Sequence, residues 1–265
     1  MHLSSDSTML SFERLTKRFH QGTPNETTVF EDFNLQIKQG EFVSIVGSNG
    51  SGKTTLLNLL CGSLPLDNGR ILVNGADIAR QPDFRRAAYL GRVFQDPTAG
   101  TCPSLTIMEN MALAEEKGGR FGLQLAVSKK KTGRYQTMLE QLKMGLEDKL
   151  YTPVGVLSGG QRQALALLIA TTTDISVLVL DEHTAALDPK SSETVMALTD
   201  QIVRQKKLTA IMVTHNLRFA VQYGSRLLMM DKGKCVLDSV NGRKEDYQIE
   251  DLLKIFNEIS IECGN

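Results

Sequence analysis

The sequence predicts an α/β fold built on a mostly parallel sheet, and three observations carry that prediction. The first is Gly47-Ser48-Asn49-Gly50-Ser51-Gly52-Lys53-Thr54, which fits the G-x-x-x-x-G-K-[ST] phosphate loop. An apolar run, Phe42 to Val46, leads into it, and a helical pattern, Thr55 to Leu60, leads out. The second is the rhythm late in the chain. Val177 to Leu180 reads as a buried strand, Ser191 to Arg204 as a helix and Thr209 to Val213 as a strand. Leu217 to Tyr223 then reads as a helix and Arg226 to Met230 as a strand. Short strands alternating with helices imply a parallel sheet covered on both faces. The third is the stretch from Asp96 to about Thr172, which has few β-rich runs and reads as a helical insert.

The remaining elements follow from local pattern. Phe33, Leu35 and Ile37 alternate with polar residues, as in a half-buried strand. Asn68-Gly69 and Asn74-Gly75 flank Ile71-Leu72-Val73, a short strand between turns. Within the insert, helices are expected at Ile107 to Ala114, Gly133 to Met144 and Gly159 to Ala170. Between the first two, the glycines from Gly118 and the lysines Lys129 to Lys131 suggest a solvated loop. An apolar helix, Ile249 to Ile259, comes near the end.

Composition narrows the class. The chain has 265 residues, with 30 Lys plus Arg against 30 Asp plus Glu. Zero net charge gives no support to a nucleic-acid platform, so no nucleic acid is expected as a partner. Met1 to Leu10 is polar and lacks an apolar signal core, and no apolar run approaches the roughly 20 residues of a membrane helix. Any membrane role is therefore expected to pass through a partner. Cys61, Cys102, Cys235 and Cys263 are far apart, form no C-x-x-C pair, and read as reduced thiols.

The chemistry begins at the phosphate loop. A strand, a glycine turn and a helix start form an anion site, because backbone N–H groups converge and the helix dipole adds about half a positive charge. Gly50 and Gly52 let the chain curl around phosphates, Lys53 places a cation on them, and Thr54 offers a hydroxyl to Mg²⁺. A glycine turn that binds nothing has no need of the Lys-Thr pair. Far along the chain, the strand at Val177 ends in Asp181-Glu182. Acids at the C-terminal edge of a parallel strand reach the ligand crevice. Asp181 is then a magnesium acid, and Glu182 polarises the attacking water. Such acids can also merely cap the following helix. Ser158 before Gly159-Gly160-Gln161 is a good N-cap, and the glycines leave that helix start bare, as a second anion site.

These segments together resemble the ATP-binding subunits of ABC transporters, in the family's order and over nearly the whole chain. The resemblance implies a P-loop NTPase (RecA-like) core with an N-terminal antiparallel β part and an inserted helical subdomain. It implies a tail at 1–9 and one ATPase domain over 10–265, its core at about 10–95 and 173–265 and its helical part at about 96–172. By this likeness Gly47 to Thr55 match Walker A, Thr55 included, and Ser158, Gly159, Gly160 and Gln161 match the signature. Gln95 matches the Q-loop residue that touches Mg²⁺ and water, Asp188 the D-loop, and His215 the switch histidine on the γ-phosphate. Phe19 stands where the family stacks an aromatic on adenine, although it could equally be a core strand residue. ATP and Mg²⁺ are the implied ligands. The implied catalytic set is Glu182, His215, Gln95 and Lys53, and the metal set is Thr54, Gln95 and Asp181.

Two departures mark a subgroup. His183 stands where most of the family has proline, and it is expected to face solvent. The helix after the signature also lacks the commoner basic residue. Both features resemble importers labelled for tryptophan, tyrosine or unknown solutes. The likeness implies a dimer with two composite sites, integral-membrane permease subunits docking near Thr98 to Ile107, and an extracytoplasmic solute-binding protein. It places the chain peripherally on the cytoplasmic side of the membrane. The alternatives are an exporter subunit, or a non-transport ABC ATPase acting on ribosomes or DNA. Against the last, no long heptad coiled coil and no second cassette is visible.

Overall fold

The computed structural model describes residues 7–116, 129–239, 250 and 252–254. In chain order the elements are β1 (Thr8–Phe19), β2 (Thr27–Lys38), β3 (Phe42–Gly47), α1 (Lys53–Cys61), β4 (Asn68–Val73), β5 (Ala76–Asp77), α2 (Asp83–Arg86) and β6 (Leu90–Val93). There follow α3 (Ile107–Glu115), α4 (Thr132–Glu140), α5 (Gly159–Ala170), β7 (Val177–Asp181), α6 (Pro189–Lys206), β8 (Thr209–Val213), α7 (Leu217–Gln222), β9 (Arg226–Asp231) and β10 (Lys234–Asp238). They fall into two compact units, one formed by residues 1–86 and 207–265 and the other by 87–206.

The first unit holds two sheets. One is antiparallel, in the order β2-β1-β4-β5, with Phe12, Phe30, Phe33 and Leu15 buried from it. The alternation at Phe33, Leu35 and Ile37 is therefore part of a longer, half-buried strand. In the other, β3 pairs in parallel with both β8 and β9, and β10 closes the edge antiparallel to β9. Every residue of β3 is buried, as the unbroken apolar run requires of a central parallel strand. Its C-terminal end delivers the glycine loop to α1.

The far end of α1 is closed by a buried cation. Arg86 is 3% exposed and donates to the carbonyls of Leu59 (2.6 Å) and Leu60 (2.8 Å). It also donates to Gln81 O at 2.8 Å and Ala79 O at 2.9 Å. A helix leaves its last carbonyls without intrahelical partners, and a guanidinium suits both their geometry and the negative end of the dipole.

The second unit pairs β6 in parallel with β7, with Val93 opposite Leu180. Helices α3, α4, α5 and α6 belong to the same unit. Thr106 caps α3 in a reciprocal box with Glu109. The helix expected at Gly133 to Met144 ends earlier, at Glu140, because Lys143 adopts a left-handed backbone (φ 53°) that no helix continues. Of the expected glycine- and lysine-rich loop, residues 117–128 lie outside those described. Lys131 pairs with Glu115 at 2.8 Å. Most of the expected helix from Ile249 to Ile259, and Cys263, likewise lie outside. Cys61, Cys102 and Cys235 are free thiols, as expected.

Arg86→Met strands several buried carbonyls at once. It is expected to lower the unfolding free energy by about 2–4 kcal/mol, read as a shifted urea midpoint with unchanged slope.

Candidate functional site

In the first unit the loop from Gly47 to Thr54 wraps the start of α1. Gly52 takes the N-cap position at φ 101° and offers no side chain to the first N–H groups of the helix. Those donors are therefore open to an anion. Gly47 is required by crowding: a Cβ there would lie 2.2 Å from Met230 O and 2.8 Å from Ser51 Oγ. The loop is braced from β9 and the turn after it. Ser48 Oγ donates to Asp231 Oδ1 at 3.1 Å, and Gly233 N donates to Ser51 O at 3.0 Å. Lys53 is 5% exposed, and its ammonium lies on its own loop, 2.8 Å from both Gly47 O and Ser48 O and 3.3 Å from Ser51 Oγ. A buried ammonium held by neutral carbonyls is a standing positive charge toward a phosphate. Asn49, Gly50 and Thr54 are exposed along the same loop, and Thr55 is half-buried.

His215 follows β8 and is exposed. Beside it, Asn216 caps α7 through Phe219 N at 3.2 Å. Phe19 ends β1, half-buried rather than in the core, with Lys17 Nζ 5.4 Å from its ring centre. An aromatic at a strand end with one open face can stack a base.

The second unit carries the acids. Asp181 is the last residue of β7, and Glu182 follows in a left-handed backbone (φ 47°), uncommon for a residue with a Cβ. The carbonyl of Glu182 accepts from Ala185 N at 2.9 Å, which closes a tight turn behind it. Asp181 Oδ2 accepts from Arg92 at 2.8 Å, each side chain being 13% exposed. Gln95 is exposed just beyond β6. Phe94 O, next to it, accepts from Gln163 Nε2 of α5 at 3.0 Å. Asp96 holds the next turn through Thr98 N (2.8 Å) and Thr98 Oγ1 (2.7 Å). The stretch from Thr98 to Ile107 is clasped by Asn110, whose amide bonds Cys102, Leu105 and Thr106.

Ser158 caps α5 as its sequence foretells. Its Oγ accepts from Gln161 N at 3.3 Å, and Gln161 Oε1 accepts from Ser158 N at 3.2 Å. Gly159 is exposed and Gly160 buried against Ser191. Asp188 caps α6, accepting from Ser191 N at 3.1 Å. Hydrogen bonds from Ser191 hold its carboxyl below the usual carboxylate range.

The sequence profile described as ABC transporter matches residues 30–185. The chain belongs to the ABC transporter family of ATP-binding subunits. A tyrosine transport ATP-binding protein of Clostridioides difficile is 45% identical over 94% of this chain and 98% of its own length. The phosphonates import ATP-binding protein PhnC of Lactococcus lactis is 32% identical over 87% of this chain and 92% of its own. Among solved structures, the ATP-binding cassette MJ0796, a post-hydrolysis dimer bound to ADP and Pi, superposes with a TM-score of 0.73 at 28% identity. That match covers 87% of this chain and 97% of the cassette. The cassette cbiO1 of Clostridium perfringens, part of the cbiONQ transporter complex, gives 0.76 at 25% identity over 95% of each chain. This chain is thus an ABC-type ATPase with the P-loop NTPase fold.

Three residues of this ABC subunit escaped the motif reading or corrected it. His183 does not face solvent: it is 2% exposed, with Nε2 3.1 Å from Thr199 Oγ1. Thr199 Oγ1 already donates to Val195 O at 2.8 Å, so the imidazole is the donor. Burial pushes its pKa down to about 4, so the ring is neutral. No neighbouring residue signals this burial, because the partner, Thr199, stands on α6 sixteen residues later. Arg92, the cation of β6, pairs with Asp181, eighty-nine residues away, which no local pattern gives. Asp231 lies where nothing in the motifs marks a brace for the phosphate loop.

Thr54 in the first unit, and Asp181 and Gln95 in the second, each carry an oxygen donor of the kind a hard cation such as Mg²⁺ takes. Among the described residues no group of three His, Cys, Asp or Glu gathers as a softer metal site. Nor is any described helix long and apolar enough to cross a membrane.

Thr199→Val keeps the shape beside His183 but orphans a buried N–H. The expected loss is about 1–3 kcal/mol, measured by urea unfolding, with no change in the secondary structure seen by circular dichroism.

Proposed function

We propose that this chain powers solute import, as the nucleotide-hydrolysing subunit of a transporter whose cargo is an amino acid or a chemically similar molecule. The observation that carries the reading is the 45% identity to a tyrosine transport subunit across nearly both whole chains. The identity to a phosphonate import subunit supports import as the direction. The partners are integral-membrane permease subunits, which supply the crossing, and an extracytoplasmic solute-binding protein. The chain sits peripherally on the cytoplasmic face. The clasped stretch from Thr98 to Ile107 serves as the docking surface, its shape fixed by Asn110.

Two copies act together. The phosphate loop of one copy holds ATP, and the Ser158 helix start of the other faces its γ-phosphate. Dimeric cassettes among the similar structures support this arrangement. Lys53 and the open N–H groups of α1 bind the β- and γ-phosphates, and Phe19 stacks the adenine. Thr54, Asp181 and Gln95 would hold Mg²⁺, which would neutralise charge on the phosphates. Glu182 takes a proton from the attacking water, His215 contacts the γ-phosphate, and Asp188 belongs to the D-loop. Hydrolysis removes the bridging phosphate, and the closed pair is favoured only so far as it binds ATP better than ADP.

Affinity capture of the tagged chain from native membranes is expected to bring down integral-membrane subunits. Recovery of ribosomes or DNA in their place overturns the transport reading. Glu182→Gln is expected to lower turnover by about 10²–10⁴ while ATP binding persists, as loss of a general base does. Light scattering of that variant at saturating Mg-ATP is expected to give a dimer, and a monomer refutes the paired mechanism. Lys53→Ala is expected to abolish the Mg-ATP thermal shift that the wild-type protein gives.

A further inference from the structure

Arg92 is the charged member of β6, a strand otherwise made of Leu90, Gly91 and Val93. In the parallel register it stands opposite Val179, two residues before the end of β7. One guanidinium nitrogen lies 2.8 Å from Asp181 Oδ2, and both side chains are 13% exposed. The guanidinium carbon lies 4.6 Å from the centre of the Phe94 ring. The main chain that carries the ring is held, because Gln163 of α5, fully buried, donates to the Phe94 carbonyl at 3.0 Å. A charge-assisted bond in little water, with an aromatic face behind it, fixes a cation on the Asp181 carboxylate.

We propose that Arg92 is a competing counter-ion for Asp181, a positioning residue whose hold on the carboxylate sets how strongly Mg²⁺ reinforces nucleotide binding. The proposal rests on the reading of Asp181 as the metal acid. A carboxylate that serves one cation serves a second less well, and two cations drawn to it repel each other. Every gain in Asp181–Mg²⁺ contact is therefore set against the Arg92 bond. By linkage, a weaker arginine bond means a stronger metal effect. The strand does not need this charge for its own sake. Its ladder to β7 and the tight approach of Gly91 to Ala170 O already fix it. The opposite reading, in which Arg92 aims Asp181 at the metal, predicts the opposite sign.

The test is the ratio of two dissociation constants of a fluorescent ATP analogue for the full chain, one in EDTA and one in saturating Mg²⁺, both read by anisotropy without turnover. Arg92→Met leaves Asp181 without its cation, so the ratio is expected to rise threefold or more. Arg92→Lys keeps a charge and is expected to stay within twofold of wild type. Should Arg92→Met not fold, Phe94→Leu removes the ring behind the guanidinium, and a rise of twofold or more is expected. A ratio that falls, or rises by less than these factors, overturns the proposal. Asp181→Asn separates the two ideas. If it collapses the ratio toward one while the arginine variants change nothing, only the competing role fails. If it leaves the ratio at the wild-type value, the reading of Asp181 as metal acid fails.

Discussion

A helix start without a side-chain cap is the constraint on which the rest of this protein depends. Most helices cover their first N–H groups with a serine, threonine or aspartate. Here α1 begins at Gly52, and its donors are left to a ligand. An open start of this kind stays in place only if its surroundings are rigid. The fully buried β3 fixes the loop from below, Asp231 and Gly233 fix its flank, and Arg86 satisfies the other end of the helix. The lysine follows the same logic. Its ammonium leans on Gly47 and Ser48 carbonyls, so the charge is stored inside the loop it is to serve.

The second helix start is built on the opposite principle. Ser158 and Gln161 satisfy each other in a closed box, and Gln161 also reaches Met144 O at 3.1 Å. This end of α5 is therefore stable without any ligand, while exposed Gly159 keeps its backbone approachable. One helix start is open and braced from outside, and the other is self-sufficient.

Legibility from sequence followed physical locality. The phosphate loop, the Ser158 helix and the alternating late strands were readable because each is fixed by neighbours within a few residues: glycine spacing, a cap, an apolar run. Gln161 completes the cap at Ser158 for that reason, three residues along. His183 was misread because its burial depends on α6, sixteen residues later, through Thr199. Arg92 drew no role because its partner is eighty-nine residues away. The early end of α4 turned on one left-handed residue, Lys143, whose side chain gives no hint of it. Asp188 was matched to the family's D-loop, and within one chain it is engaged as a helix cap.

The backbone at Glu182 has a consequence for the chain's evolution. A side-chain-bearing residue in the left-handed region is strained by roughly 1 kcal/mol or more, and glycine or asparagine would relax it. Selection for thermal robustness alone would thus erode this position, trading the carboxylate for a calmer main chain. Arg14, Asp32 and Lys143 carry the same strain, so only the proposed general-base role would hold an acid at this position against such drift, and a laboratory drift experiment without demand for turnover is expected to lose it early.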